Sequence, residues 1–392
     1  MRLLLCFLFL FSSVFAAPKA VYLTVPDDSA HSMSVHWIEK EQKKPSNTIF
    51  YQKEGDKEWK KETVTSQSSL ADSSYSVKGC LITGLEEASY YSFHFEGEKR
   101  EYLFRTLPSN LKSPLKIAIG GDFTESFSMF RKMNKVAAQK NPDFVILGGD
   151  IAYACGHRLF EGKHGSVSKW VDFFEEWETS MRGERGRLIP VVAVIGNHDV
   201  APKDRKEKGK NSLFLRFFPS STDLTYKTVD IAGALCLVLL DSGHLFSLEK
   251  QQKVWLEQTL QAKQKMLWKI PVYHLSGYPS TYLFNNARPT NLRRNWTPLF
   301  EQYGVKLVFE HHNHAFKRTY PMLEEKINPE GIVYMGDGCW GAPPRKVVKS
   351  YYLENSLSSN SFSLLTVDVK SLQVEVFNNK NELIDTWKSG GL

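Results

Sequence analysis

Hydrophobic and polar positions divide the chain into two stretches of different rhythm. From Lys19 to Arg105 short runs alternate apolar and polar residues, "AVYLTV", "SMSVHWIE", "NTIFYQK", "KGCLITGL" and "YYSFHFEG", with turn residues between them. A period of two sends successive side chains to opposite faces of a strand, so each run predicts a half-buried β-strand. Their regular spacing predicts a small all-β sandwich over 18–108, with Trp37 in the core of one sheet. In "LITGLEEASYYSFHF" a tyrosine follows closely on a Gly-Leu turn, the arrangement of a tyrosine corner. This stretch carries no catalytic grouping, and packing or recognition is its expected role.

After "PSNLKSP" the rhythm changes. Apolar runs now alternate with helical ones: "LKIAIGGD", "SMFRKMNKVAAQ", "DFVILGGD", "VSKWVDFFEEWETSM" and "IPVVAVIGNHD". In the second helix Trp170, Phe173, Phe174, Trp177 and Met181 fall on one stripe, which predicts a core-facing surface. Strands alternating with helices predict an α/β domain over 109–392, where ligands gather beyond the carboxyl ends of the strands.

Residues able to do chemistry stand at those ends. Asp122 follows "KIAIGG", Asp150 follows "FVILGG", Asn197 and His198 follow "VVAVIG", His274 follows "KIPVY", and His312 with His314 follows "KLVFEH". Any one of them reads well enough as a turn residue or a helix cap. Five consecutive strand ends so equipped predict a shared metal site, because clustered His and carboxylate are metal ligands when a fold unites them. One ion takes four to six donors, whereas seven or eight are available, and an Asp between two ions can bridge them. Tyr153, three residues past Asp150, adds a hard anionic phenolate that suits Fe(III) better than zinc or magnesium.

Composition narrows the setting. "MRLLLCFLFLFSSVFA" has an early Arg, a short apolar stretch and small residues at its end, so residues 1–17 read as a signal peptide and predict a secreted or periplasmic protein. That run is too short to span a bilayer, and stable membrane insertion is not expected. Removing it leaves about 375 of 392 residues, more than one core usually supports, and lowers the net charge from +7 to +6 by the loss of Arg2. Mild positive charge suits small anions, but no dense basic cluster of a nucleic-acid binder is present. Cys80, Cys155, Cys236 and Cys339 lack Cys-x-x-Cys spacing, which argues against thiolate zinc and leaves up to two disulfides open.

The motifs "GGD" at 120–122, "GDIAY" at 149–153, "GNHD" at 196–199, "PVYH" at 271–274 and "HHNHAFKR" at 311–318 resemble the five ordered motifs of the purple acid phosphatases, a branch of the calcineurin-like metallophosphoesterases. The resemblance covers nearly the whole chain after residue 17, including a front module similar to fibronectin type III. It implies a four-layer αββα sandwich behind that module. It also implies that Asp122, Tyr153 and His314 hold Fe(III), that Asp150 bridges, and that Asp150, Asn197, His274 and His312 hold a divalent Fe, Zn or Mn ion. His198 corresponds to the histidine that contacts the phosphate and the leaving oxygen. His311 replaces a glycine or points away and is not an expected ligand.

The implied activity is hydrolysis of small-molecule phosphate monoesters by a metal-activated hydroxide. Alternatives are a phosphodiesterase or nucleotide pyrophosphatase on the same metal pair, or a non-catalytic surface binding protein. Departures from the pattern bear on the choice. Asp-x-Gly becomes Asp122-Phe123-Thr124, so a side chain is expected to intrude, and Leu283 stands where a second histidine follows His274. His157 and His164 are possible replacements for that histidine, with exposed loop positions the plainer reading. "PKDRKEKGK" at 202–210 could attract phosphate, although a charge run is usually a solvated loop. Asn295-Trp296-Thr297 matches a glycosylation acceptor. Oligomeric state stays open.

Overall fold

The computed structural model describes residues 17–40, 47–70, 73–156 and 165–389. The expected signal peptide and both His157 and His164 lie outside the described residues, apart from Ala17. The front part holds eight strands: β1 (Ala20–Thr24), β2 (Ser32–Lys40), β3 (Thr48–Lys53), β4 (Lys60–Thr63), β5 (Ser66–Ser69), β6 (Tyr75–Thr83), β7 (Tyr90–Phe95) and β8 (Tyr102–Arg105). They form two facing sheets in the orders β1-β2-β6-β5 and β4-β3-β7-β8. Alternation does the sorting: Tyr91, Phe93 and Phe95 of β7 turn inward to meet Trp37, whose ring lies 5.0 Å edge-on from Phe95. The Glu86 N–H donates to the Tyr91 hydroxyl at 2.8 Å, closing the tyrosine corner anticipated from the turn.

Behind it follow β9 (Leu115–Gly120), α1 (Phe127–Gln139), β10 (Phe144–Leu147), α2 (Val167–Ser180), β11 (Val191–Ala193), α3 (Pro202–Lys206), α4 (Leu213–Phe217), β12 (Lys227–Ile231) and β13 (Leu235–Leu239). Next come α5 (Gln251–Ala262), β14 (Trp268–Tyr273), α6 (Ala287–Gln302), β15 (Leu307–Glu310), β16 (Phe316–Thr319), β17 (Met322–Leu323) and β18 (Lys326–Ile327). The chain ends with β19 (Val333–Asp337), β20 (Leu353–Leu357), β21 (Ser361–Val367), β22 (Leu372–Asn378) and β23 (Leu383–Lys388).

Two large sheets stack face to face. Ile117, Ile119, Phe144 and Ile146 of one meet Leu237, Ile270, Phe309 and Met335 of the other. The intervening residues Ala118, Val145 and Leu147 face the opposite way, toward α1 and the α2 stripe of Trp170, Phe173, Phe174 and Trp177. Helices α5 and α6 cover the second sheet through Leu256, Leu260, Trp296 and Phe300. Strands buried on both faces read as continuous apolar runs, which is why "FVIL" and "LCLVL" show no alternation. The result is the expected αββα sandwich behind a β-sandwich.

The sequence rhythm suggests two separate sheets systems, yet β1 pairs in parallel with β11 through Thr24 and Val191. The front sheet thereby extends the order β23-β22-β21-β9-β10-β11 by four strands into one ten-stranded sheet. Side chains seal the junction: Tyr22 stacks on Phe174 at 3.9 Å, and the Val21 N–H donates to Glu178 at 2.7 Å. The four cysteines among the described residues are buried, and no two of them are joined. The acceptor-like Asn295-Trp296-Thr297 lies within α6 with Trp296 and Thr297 buried, a setting unlike the surface loop that glycan attachment needs.

Candidate metal centre

Strands β9, β10 and β11 of one sheet and β14 and β15 of the other end at a common rim, and every residue expected there follows one of them. Asp122, Asp150, His274 and His312 each offer an atom within 4.8 Å of all the others, a grouping that could hold a metal ion. Tyr153 and His314 join at the Asp122 end: the Tyr153 hydroxyl donates to Asp122 Oδ1 at 3.1 Å and lies 3.2 Å from His314 Nε2. His314 Nε2 is itself 3.1 Å from Asp122 Oδ1.

At the other end, His274 Nδ1 is 2.9 Å from the Gly148 carbonyl, which can only accept, so Nδ1 carries the proton. Its Nε2 then faces Asp150 Oδ2 at 3.1 Å and His312 Nδ1 at 3.2 Å. Three electron-rich atoms turned on one another need a cation or a shared proton between them. Of the buried oxygens here, Asn197 Oδ1 has no hydrogen-bond partner among the described residues, and Asp150 Oδ2 has only its ion-pair contact with His274. Uncompensated polar atoms of this kind are costly inside a protein, and a metal would satisfy both. The residues present therefore fit a metal pair.

Charge and burial act together here. Burial disfavours an ionised Asp150, but His274 outweighs it and holds the carboxyl well below the usual range. Asp122 is likewise lowered by His274 and His314 against its burial. Burial also opposes a charged His274, yet Asp150 and Asp122 raise it to about 9, so a proton occupies the place a cation would take. Burial and then His274 push His312 down to about 3. The Tyr153 phenol is pushed far up by burial and by Asp122, so it ionises only against a strong local cation.

Backbone conformation marks the same residues. Asp122, Asp150, Tyr153, His312 and His314 all have positive φ, between 47° and 71°. Such angles cost non-glycine residues of order 1 kcal/mol each and persist where the surrounding structure enforces them. Close approach also explains two glycines of the motifs. A Cβ on Gly196 would stand 2.1 Å from the Asp150 nitrogen, and one on Gly148 would stand 2.2 Å from the His311 ring. His311 is thus buried beneath the strand ends, outside the donor group, as the resemblance implies.

His198 lies at the rim. Its Nδ1 is 2.6 Å from the Cys155 carbonyl and its ring stacks on Tyr153 at 4.7 Å, while its backbone N–H donates to Asp150 at 2.6 Å. Asp199 braces this turn by accepting from Ile151 and Gly196, each at 2.9 Å. Thr124 does not intrude: its hydroxyl donates to the Ile151 carbonyl at 3.0 Å and ties the first two loops together. Leu283 is 67% exposed. Lys317 is buried against Glu310, which also accepts from the Tyr273 hydroxyl and the Gly277 and Tyr278 N–H groups and so holds the loop after His274.

Sequence reasoning missed His244. It follows β13 as the other site residues follow their strands, touches His274 edge-on at 5.7 Å, and lines the cavity beside the rim. The signal was the same as elsewhere, a polar "DSGH" after the apolar run "LCLVLL". The basic stretch 202–210 also departs from a plain solvated loop, since it forms α3 and Arg205 and Lys206 line that cavity.

Strand ends of two stacked sheets bearing Asp, Asn and His around one centre define a metallophosphoesterase architecture. The calcineurin-like phosphoesterase family matches residues 115–316, and the purple acid phosphatase N-terminal domain matches residues 18–106. The chain belongs to the calcineurin-like phosphoesterase family, and its front module is similar to the N-terminal domain of purple acid phosphatases. Purple acid phosphatase 13 of Arabidopsis thaliana is 24% identical over 293 residues, 67% of this chain and 53% of its own length. The chain spans about half the length of the curated relatives it matches. A purple acid phosphatase from yellow lupin (Lupinus luteus) seeds shares the fold, with a TM-score of 0.75 at 15% identity over 94% of this chain and 73% of that one. GAP50, the anchor in the inner membrane complex of Plasmodium, shares it with a TM-score of 0.52 at 15% identity, over 72% of this chain and 90% of that one.

Proposed function

We propose that the chain is a binuclear metal-dependent acid phosphatase that hydrolyses phosphate monoesters and is exported through the leader at 1–17. The observation that carries this reading is the convergence of Asp122, Asp150, His274 and His312 within 4.8 Å, beside the Asn197 oxygen, which has no hydrogen-bond partner among the described residues. Asp122, Tyr153 and His314 would hold Fe(III), and Asp150 would bridge to a divalent Fe, Zn or Mn ion held with Asn197, His274 and His312. Bound there, such ions supply Lewis-acid charge to the ester oxygens and lower the pKa of a water.

The chain's own groups do the rest. His198, anchored through Nδ1 to the Cys155 carbonyl, turns Nε2 toward the cavity, where it can hold the phosphate and pass a proton to the leaving oxygen. Asp199 fixes the turn that carries both Asn197 and His198. The Gly148 carbonyl sets the His274 tautomer so that Nε2 faces the ions.

Metal analysis, visible absorption and assays on an aryl monoester and an aryl diester test the reading together. Protein expressed with ample iron should be violet, carry about two ions per chain, and favour the monoester; Tyr153→Phe should bleach it. Colourless protein loaded with two zinc ions would remove the ferric assignment. Metal-loaded protein inert toward both esters would remove the phosphatase reading.

A further inference from the structure

Beside the rim opens a cavity of about 1100 Å³, with Asn197 and His198 on one wall and the segment around His244 on another. That volume exceeds what a single phosphate and a small alcohol fill, since pockets for whole drug-sized ligands span about 300–1000 Å³. Its charge is one-sided. Arg205 and Lys206 of α3 and Arg288 in the first turn of α6 line it, and among the described residues no aspartate or glutamate does.

Among the described residues these cations have no carboxylate partner. Elsewhere several arginines are held by carboxylates, as Arg131 is by Glu176, Arg182 by Glu178, Arg293 by Glu325 and Arg318 by Asp385. Arg205, Lys206 and Arg288 are exposed and form no ion pair among the described residues. The acidic residues near α3 are engaged otherwise: Asp204 is buried and accepts from the Ala201 N–H at 3.1 Å, while Glu207 pairs with Lys203 at 3.4 Å and accepts from Asn211 at 2.8 Å. A second, smaller cavity on the His312 side is walled by Pro279, Tyr282 and Pro289 and shares only Arg288 as a charge. Of the two cavities, the one on the His198 side offers an anion three cations, while on the His312 side Arg345 is already bound to the Tyr282 hydroxyl at 2.7 Å.

Resting on the phosphatase reading, we propose that the substrate is a phosphomonoester whose alcohol carries a second phosphoryl group, gripped by Arg205 and Arg288 while the first lies against His198 and the metal ligands. Two guanidinium forks on separate helices, with the Lys206 ammonium next to Arg205 in α3, match the three acceptor oxygens and double charge of a phosphate better than the two oxygens of a carboxylate. In the reaction water adds to the first phosphorus, its P–O bond to the alcohol breaks, and the leaving oxygen takes up a proton. Inorganic phosphate and the remaining alcohol monophosphate are released, with the second group unchanged.

Butane-1,4-diol monophosphate and butane-1,4-diol bisphosphate present the same scissile ester with and without the remote anion. Wild type should show kcat/KM at least about tenfold higher for the bisphosphate, the scale of charge-assisted contacts, where two equivalent ends alone give twofold. In Arg205→Gln/Arg288→Gln, at two exposed positions, the ratio should fall to about that statistical value, and raised salt should erode the wild-type ratio. A wild-type ratio of about two, or one that the double substitution leaves unchanged, overturns the proposal. Failure of wild type to cleave either ester strikes the phosphatase reading instead. Calorimetry with butane-1,4-bisphosphonate and butylphosphonate then decides this one: tighter binding of the former that the substitutions abolish supports it, and equal affinities overturn it.

Discussion

The front sandwich and the strand-end rim are made from the same kind of strand, yet they treat the backbone in opposite ways. Among the described residues before Leu107, Ala88 is the one non-glycine with positive φ, whereas five of the eight site residues at the rim have it. Unmet polarity occurs among the described residues of both regions, at Trp37 Nε1 in the sandwich and at Asn197 Oδ1 at the rim, but the rim also turns the polar atoms of His274, Asp150 and His312 toward one another. A region that only has to be stable keeps a relaxed backbone, and a region that has to bind something stores strain and mutually facing polar atoms.

Substitutions should separate the two regions by what they damage. The largest effect is expected from Asp150→Asn, which keeps a residue tolerant of positive φ but removes the bridging charge. Metal content should collapse and hydrolysis fall by about 10⁴-fold, ~5.4 kcal/mol of barrier, with the circular dichroism of the folded protein retained. If metal content stayed intact, Asp150 would not be the shared donor.

Glu310→Gln probes the ground between the regions. It leaves Lys317 charged, buried and without its carboxylate, which should cost about 3–5 kcal/mol of stability. Because Glu310 also holds the N–H groups of Gly277 and Tyr278, activity at low temperature should fall as well. A thermal shift with no change in activity would confine the pair to a structural role.

Tyr91→Phe should have the smallest effect. It strands the Glu86 N–H and should lower stability by about 1 kcal/mol while leaving kcat/KM for a monoester unchanged. A matching loss of activity would mean that the sandwich is coupled to the rim, through β1 and its contact with β11, more tightly than a support should be.

Much of the rim was legible because strand ends are local features. An apolar run followed by Gly-Gly-Asp or Gly-Asn-His names its own last residue, and parallel packing brings such ends to one side. The α2 stripe was legible for a similar reason, since a helix shows its buried face in its own spacing. Thr124 was misread because the direction of a side chain depends on a partner, the Ile151 carbonyl, supplied by another loop. Arg205, His244 and Arg288 were not grouped at all, for they stand on three elements far apart in the chain and meet only across the cavity.

The sequence by itself determined the motif-bearing strands, the helices α1 and α2 and the main strands of the front module, and which donor types stand at the strand ends. Periodicity and side-chain chemistry act within a few residues and need no partner to be read. Only the tertiary structure decided that the front sheet continues through β1 into the sheet of β11, that His311 lies beneath the glycines and not among the donors, and that cations without a carboxylate partner among the described residues gather beside His198. Those outcomes rest on edge pairing, on close packing between distant segments, and on which carboxylates are already taken, and each is a property of contacts that exist only once the chain has folded.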